Sequence, residues 1–308
     1  MIKNKFDDLR INPLKLNGIY RGVVEDRDDP QKAGRCKIRV WGIHTAVKER
    51  NEKEGIPTED LPWAEPALGL IEGSISGFGM WSVPLQGSHV ALFFEGGNIT
   101  KPIYFATLPG YPTEAPVTSE GFNDPDGVYP TSHRLDEPDL HRLARGVSGE
   151  TIVTSKNSNL DTGIATALGG TWSEPSSQYA ATYPDNITLN THGGITEEWD
   201  STTGNRRWHI FHPSNSYIEI GEDGTTIFRS QGEKFEVVIS NKNQHIKGNR
   251  NVTTDASSKE KVGMNADTEI GGTLTEDIGS NWTVTVGGEV NINVTGNANI
   301  TASIINLN

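Results

Sequence analysis

The stretch IGGTLTEDIGSNWTVTVGGEVNINVTGNANI, residues 270–300, repeats itself every eight positions. Counted in eights from Ile246, the same phase holds Thr254, Val262, Ile270, Ile278, Val286 and Val294. Apart from Thr254, every one is β-branched and apolar. Gly263, Gly271, Gly279 and Gly287 fill the next column, and Gly248, Gly272, Gly288 and Gly296 the one after. Six residues into each octad stand Val252, Val284, Ile292 and Ile300, with Glu260, Thr268 and Glu276 in the middle units. A fixed period of this kind signals stacked structural units.

The physics of the octad restricts what those units are. Eight residues make one or two very short strands and a turn, with too little apolar surface to form a core alone. Glycine at a fixed phase permits a turn with unusual φ or a close approach of backbones. A solenoid of one chain would need each eight-residue coil to enclose a core, and that coil is too tight. Several copies wound about a shared axis bury the Val/Ile column, and three is the natural closed number. The middle octads TDASSKEK (254–261) and VGMNADTE (262–269) are weaker, so the register is least defined there. Residues 246–308 are therefore expected to form an obligate oligomer, with three copies winding about a shared axis.

Working outward, residues 186–245 carry strand-like runs, with clear alternation in Ser216-Tyr217-Ile218-Glu219-Ile220 and a turn at Glu222-Asp223-Gly224. They form a prism-like β region. Residues 110–185 are rich in Pro, Gly, Ser and Thr and read as an extended connector, with one short helical turn possible near 136–146. Residues 17–109, after an N-terminal arm (1–16), alternate strand-like runs with turn formers. Strands are expected at 18–25 and 35–43, split by Asp26-Arg27-Asp28-Asp29-Pro30, then near 80–84, 89–94 and 102–108. Several short strands in so short a span suggest a small closed barrel, which leaves no exposed sheet edge. The fold class expected is all-β.

Composition narrows function. The 308 residues carry a formal charge of -13, so a polyanion such as nucleic acid is an unsuitable partner. Cys36 is the only cysteine, which rules out an intrachain disulfide and fits synthesis in a reducing cytoplasm. Residues 1–10 are polar, without a signal-peptide core, and no run approaches the roughly 18 apolar residues of a membrane helix.

GVVEDRDDPQKAGRCKIRVWGIH (22–44), GIPTEDLPWAEP (55–66) and VPLQGSHVALFFEGGNITKPI (83–103) resemble the OB-fold domain of the T4-like baseplate central spike family of contractile-tailed phages. The resemblance continues through LHRLARG (140–146), IFHPSNSYIEIGEDG (210–224) and the terminal octads. Similar architecture occurs in type VI secretion spikes. The resemblance implies a homotrimer in the virion tail baseplate, attached to a hub protein at its N-terminal side. It also implies that residues 246–308 form a triple-stranded β-helical needle, driven transiently through the bacterial outer membrane when the sheath contracts. Some relatives insert a lysozyme domain between barrel and needle. Residues 110–185 are about half the length such a domain needs and show no matching catalytic Glu and Asp, so the chain is read as non-enzymatic, without cofactor or metal. Some related spikes end in an iron-binding His-x-His; this chain has no His after His245. A separate small tip protein is expected to meet Ile304, Ile305 and Leu307.

Four other readings compete. The acidic neighbours Glu197/Glu198, Asp136/Glu137 and Asp28/Asp29 invite a glycosidase reading, as in a polysaccharide-degrading tailspike, but neighbours on a strand point to opposite faces. His209 and His212, with His192 nearby, suggest zinc, yet an i, i+3 pair on a strand also diverges; His133 and His141 are weaker. Trp41, Trp63, Phe93 and Phe94 could stack single-stranded bases on an OB surface, against the acidic charge. Arg21, Arg35, Lys37 and Arg39 could contact hub subunits or be ordinary strand-face charges.

Overall fold

The computed structural model describes residues 16–50, 55–72, 76, 78–109, 140–167 and 169–306. The chain divides into two units, 1–251 and 252–308. In the first, five strands close a barrel: β1 (Tyr20–Asp26), β2 (Cys36–Val40), β3 (Trp63–Pro66), β4 (His89–Phe94) and β5 (Pro102–Leu108). The order around it is β1-β2-β3-β5-β4, with β4 returning to β1. Every pairing is antiparallel except β3 with β5, which is parallel. That is the OB-fold arrangement, a five-stranded barrel with its edges removed by closure.

Val24, Cys36, Ile38, Val40, Ala64, Val90, Leu92, Phe94 and Tyr104 form the barrel core. All five residues of β2 are buried, so its outward side chains, Lys37 and Arg39, are covered as well. Arg39 reaches the carbonyls of Thr45 and Ile56, and Lys37 that of Glu59, so Thr45, Ile56 and Glu59 close over this face. The β1–β2 turn is organised by Asp29, whose carboxylate accepts backbone N–H groups from Gln31, Ala33 and Arg35. Gly34 in that turn has φ +74, and an added Cβ would lie 2.6 Å from Trp81; Tyr104 donates its hydroxyl proton to the Gly34 carbonyl.

Residues 89–94 and 102–108 form strands as expected. The strand expected at 80–84 does not form; Met80 makes only an isolated bridge to Glu72. Its place in the barrel is taken by β3, whose four residues Trp-Ala-Glu-Pro are too short to show alternation. They are held by two-residue registers with β2 and β5.

The segment expected to be an extended connector divides. Residues 110–139 lie outside the described residues, and so do Asp136, Glu137 and His133. Residues 140–185 fold onto the sheet that follows. After a turn at 142–146 comes helix α1 (Thr151–Ser158), then a short pair, β6 (Ile164–Ala165) and β7 (Thr171–Trp172). The helix has no side-chain N-cap and is too short to persist alone. Burial of Ile152, Val153 and Lys156 holds it in place. Beneath it lies a five-stranded antiparallel meander: β8 (Asn186–Asn190), β9 (Thr196–Asp200), β10 (Arg207–His212), β11 (Ser216–Ile220) and β12 (Thr226–Arg229). Leu143, Ile152, Val153, Phe211, Tyr217 and Ile227 form the core between them.

From residue 231 onward no strand or helix is formed among the described residues. The backbone instead bends at 231–232, 239–240, 247–248, 255–256, 263–264, 271–272, 279–280, 287–288 and 295–296, with extended six-residue segments between. The eight-residue period thus runs unbroken through the weak middle octads and begins ahead of Ile246. No glycine of the repeat takes a left-handed φ. The unusual-φ explanation for the repeat glycines therefore fails, and a Cβ on Gly263, Gly271, Gly279 or Gly287 would meet nothing within 4 Å in this chain.

Candidate assembly surfaces and a buried charge cluster

The meander's two faces carry the reverse of the usual pattern. On the face away from α1, one cross-strand row reads Ile187, Trp199, Trp208, Ile220. The next reads Leu189, Glu197, Ile210, Ile218, Phe228. Ile187, Leu189, Trp199 and Phe228 are exposed to water, Ile187 at 63 % and Phe228 at 58 %. Trp208 donates its indole N–H to Glu197, which satisfies the one carboxylate in these rows. A monomer's sheet normally turns such residues inward; an apolar face of this extent marks a surface built for contact.

The octads repeat the theme. Every extended segment places residues 2, 4 and 6 after its bend on one face, for example Trp282, Val284 and Val286, or Val290, Ile292 and Val294. The alternate positions are polar: Asn281, Thr283 and Thr285; Glu289, Asn291 and Asn293. In the column before the bends, Ile246, Val262, Ile270, Ile278, Val286 and Val294 are 42–51 % exposed. Val252, Val284, Ile292 and Ile300 are more exposed still. Their backbone N–H and C=O groups pair with no strand among the described residues. Ile304 and Ile305 are exposed too; Leu307 lies outside the described residues.

The meander's other face is charged and buried. Glu198, Arg207, His209 and Glu219 face α1 from β9, β10 and β11, and Lys156 descends from the helix to meet them. Arg207 bridges the carboxylates, donating to Glu198 at 2.5 Å and to Glu219 at 3.0 Å. Glu198 also accepts from Asn186 at 3.0 Å and contacts His209 Nδ1 at 2.8 Å. Burial pushes the Glu198 carboxyl up, but His209, Arg207 and Asn186 overcome it and hold it at about 2. Burial keeps His209 below its ordinary value, and Arg207 and Lys156 reinforce this against Glu198. Burial, aided by Arg207, holds the Lys156 ammonium down at about 8 against the pull of Glu174. At the sheet's rim Glu174 meets Tyr217 and Arg229.

Sequence reasoning missed this cluster, because its members sit up to 63 positions apart and only the packing of α1 on the sheet unites them. The candidate acid pairs are not brought into catalytic geometry. Glu197 and Glu198 occupy opposite faces, and Asp29 is engaged by Arg35 and three backbone N–H groups. His209 is buried while His212 points to solvent, and His192 is exposed. Among the described residues no cluster of three His, Cys, Asp or Glu is placed for a metal.

In the barrel, Phe94 is core, Trp41 packs edge-on to His89 under Arg21, and Trp63 lies against Arg35 and Lys37. Phe93 pairs with Phe105. The reading of Arg35, Lys37 and Arg39 as hub-facing charges is corrected. Arg39 is 1 % exposed and fully engaged by Glu25, Thr45 and Ile56, Arg35 by Asp29 and Lys37 by Glu59. Only Arg21 of the four is exposed.

With this geometry in hand, the chain can be compared with known proteins. Residues 42–185 match the family described as the Gp5 N-terminal OB domain. Protein Gp5 of Vibrio phage KVP40 is 34 % identical over 264 residues, covering 76 % of this chain and 62 % of the relative. The pre-baseplate central spike protein Gp5 of Enterobacteria phage T4 is 36 % identical over 146 residues, or 47 % of this chain and 25 % of the relative. The chain thus spans less than two thirds of the length of either relative.

Proposed function

We propose, from the match of residues 42–185 to the Gp5 N-terminal OB domain family, that this chain is a structural central spike of a contractile phage tail, assembled as a homotrimer in the baseplate. The carrying observation is that the Trp199/Trp208 face and the octads' Val/Ile face both stand unpartnered in one chain. Each Val or Ile withdrawn from water contributes about 1.5–3 kcal/mol. Repeated through the octads of three copies, that exceeds the roughly 4–15 kcal/mol cost of association. Three copies also give the octad backbones strand partners, which a single chain lacks.

In this reading the barrel attaches to the baseplate hub, and the wound octads form a rigid needle that crosses the outer membrane on sheath contraction. Ile304 and Ile305 are the described candidates for contact with a small tip protein. The role is non-enzymatic: the carboxylates Glu198 and Asp29 are committed to internal ion pairs. Both relatives are phage proteins, which favours a phage tail over a secretion or bacteriocin spike.

Sedimentation equilibrium of the full chain tests the proposal. A mass of three 33.6 kDa protomers that survives dilution is expected. A stable monomer would overturn it, since the octads would then have to bury their apolar face within one chain.

A further inference from the structure

Within the buried cluster, Lys156 and Glu219 stand in a relation that an ordinary ion pair does not require. Each side chain is 1 % exposed, and Nζ of Lys156 is in direct contact with Oε2 of Glu219. No further donor or acceptor reaches either atom. The other carboxylate oxygen, Oε1, is surrounded by donors: Arg207 Nη1 at 3.0 Å, and the Gln178 N–H and Ser177 hydroxyl at 3.4 Å. One oxygen of Glu219 is thus cradled, as an acyl oxygen is in a preorganised donor site, while the other is held bare against an amine. The Tyr217 ring packs 4.6 Å from the same Nζ and excludes water.

We propose that Lys156 and Glu219 condense to an intramolecular isopeptide bond that ties α1 covalently to β11. Nζ attacks Cδ of Glu219, the new C–N bond forms, and the Cδ–Oε2 bond breaks. The two protons that the ammonium loses leave with Oε2 as water. An ammonium and a carboxylate become a neutral amide and one water, with no oxidant, activated group or second reactant.

Several features of the site favour this step. Two charges buried at 1 % exposure are replaced by a neutral group, which removes their desolvation penalty. Arg207 keeps Glu198 as its counter-ion afterwards, so the cluster stays balanced. Nζ already lies against the carboxylate it attacks, which supplies the proximity that makes a slow bimolecular condensation effectively unimolecular. The lowered ammonium of Lys156 eases access to the neutral, nucleophilic amine. The Oε1 donors then hold the amide oxygen.

The bond would close a loop from 156 to 219 and oppose peeling of α1 from the sheet under mechanical load. It stands independently of trimer formation.

Mass spectrometry of the purified full-length chain, denatured before measurement, decides the matter on the natural sequence. The expected intact mass is one water below that of the sequence. Trypsin is then expected to spare the bond after Lys156 and to release 146–206 joined to 208–229. Lys156→Met is expected to restore the sequence mass less the substitution. A wild-type mass equal to the sequence, cleavage after Lys156, or a water loss located in another peptide would each overturn the proposal.

Discussion

The barrel and the octads are built from similar residues and reach opposite solutions. In the barrel, Val24, Ile38, Val40 and Leu92 are 0–2 % exposed, because five strands close on one another within a single chain. In the octads, Val262, Ile270, Ile278 and Val286 are nearly half exposed, and their backbones join no strand among the described residues. The difference is one of segment length and return. Barrel strands of four to seven residues are joined by turns that bring them back into contact. The octad backbone bends every eight residues and forms no strand pairing among the described residues. A barrel can be stable as one copy; in the proposed spike the octads rely on others.

The largest expected break in this comparison comes from a charge in the octad face. Ile278→Asp, buried three times over in a trimer, should abolish the trimeric mass in sedimentation while leaving the barrel's near-UV dichroism intact. An isolated buried carboxylate is too costly to retain ionised.

The barrel should respond in the opposite way. Arg39→Met strands Glu25, whose side chain is 0 % exposed and also contacts Thr58 and Lys48. A loss of about 3–5 kcal/mol is expected from breaking one side of a buried pair, read from urea unfolding of the barrel with the trimer preserved.

Acid should act on the meander next. Glu198 sits at about 2 rather than 4.5, so its contribution is complete above pH 4.5 and fades as pH falls toward 2. That shift corresponds to about 3 kcal/mol. His209 is held below 6.5, so the folded state binds fewer protons than the unfolded one and stability also falls as pH drops through and below 6.5. Melting temperature against pH should decline in these two windows, and Glu198→Gln should flatten the lower one.

The smallest and sharpest test compares two glycines. Gly42→Ala in the barrel meets a φ of +76 and open space, so about 1–2 kcal/mol of backbone strain is expected. Gly279→Ala meets neither strain nor a neighbour in one chain, and a lone chain would gain up to about 1 kcal/mol. A lower melting temperature for the Gly279→Ala assembly is the expected outcome, because a neighbouring copy approaches at that phase. A rise would mean that no copy does.

Much of this was legible in the sequence. Residues 89–94 and 102–108 read directly as strands because each is a mostly apolar run set off by Gly, Pro or Asn. The octad period was legible from Val, Ile and Gly alone, although its start near residue 231 was hidden where Ile239-Ser240 stands at a bend in place of glycine. β3 was not legible, because four residues ending in proline gain strand character only from their neighbours. Nor was α1, which has no cap and no apolar stripe of its own.

What the sequence by itself determined is periodicity: period two along each strand and period eight along the octads, both consequences of local backbone geometry. What only the tertiary structure decided is which neighbour each face meets. In the meander the alternation of 207–212 identifies two faces, but not that the charged one lies under α1 and the tryptophan-bearing one is left open. Lys156, Arg207 and Glu219 meet only because a helix from a segment that reads as linker folds back over the sheet. Local geometry is written in short-range residue spacing. The burial of a charge depends on contacts between distant segments, and no spacing encodes them.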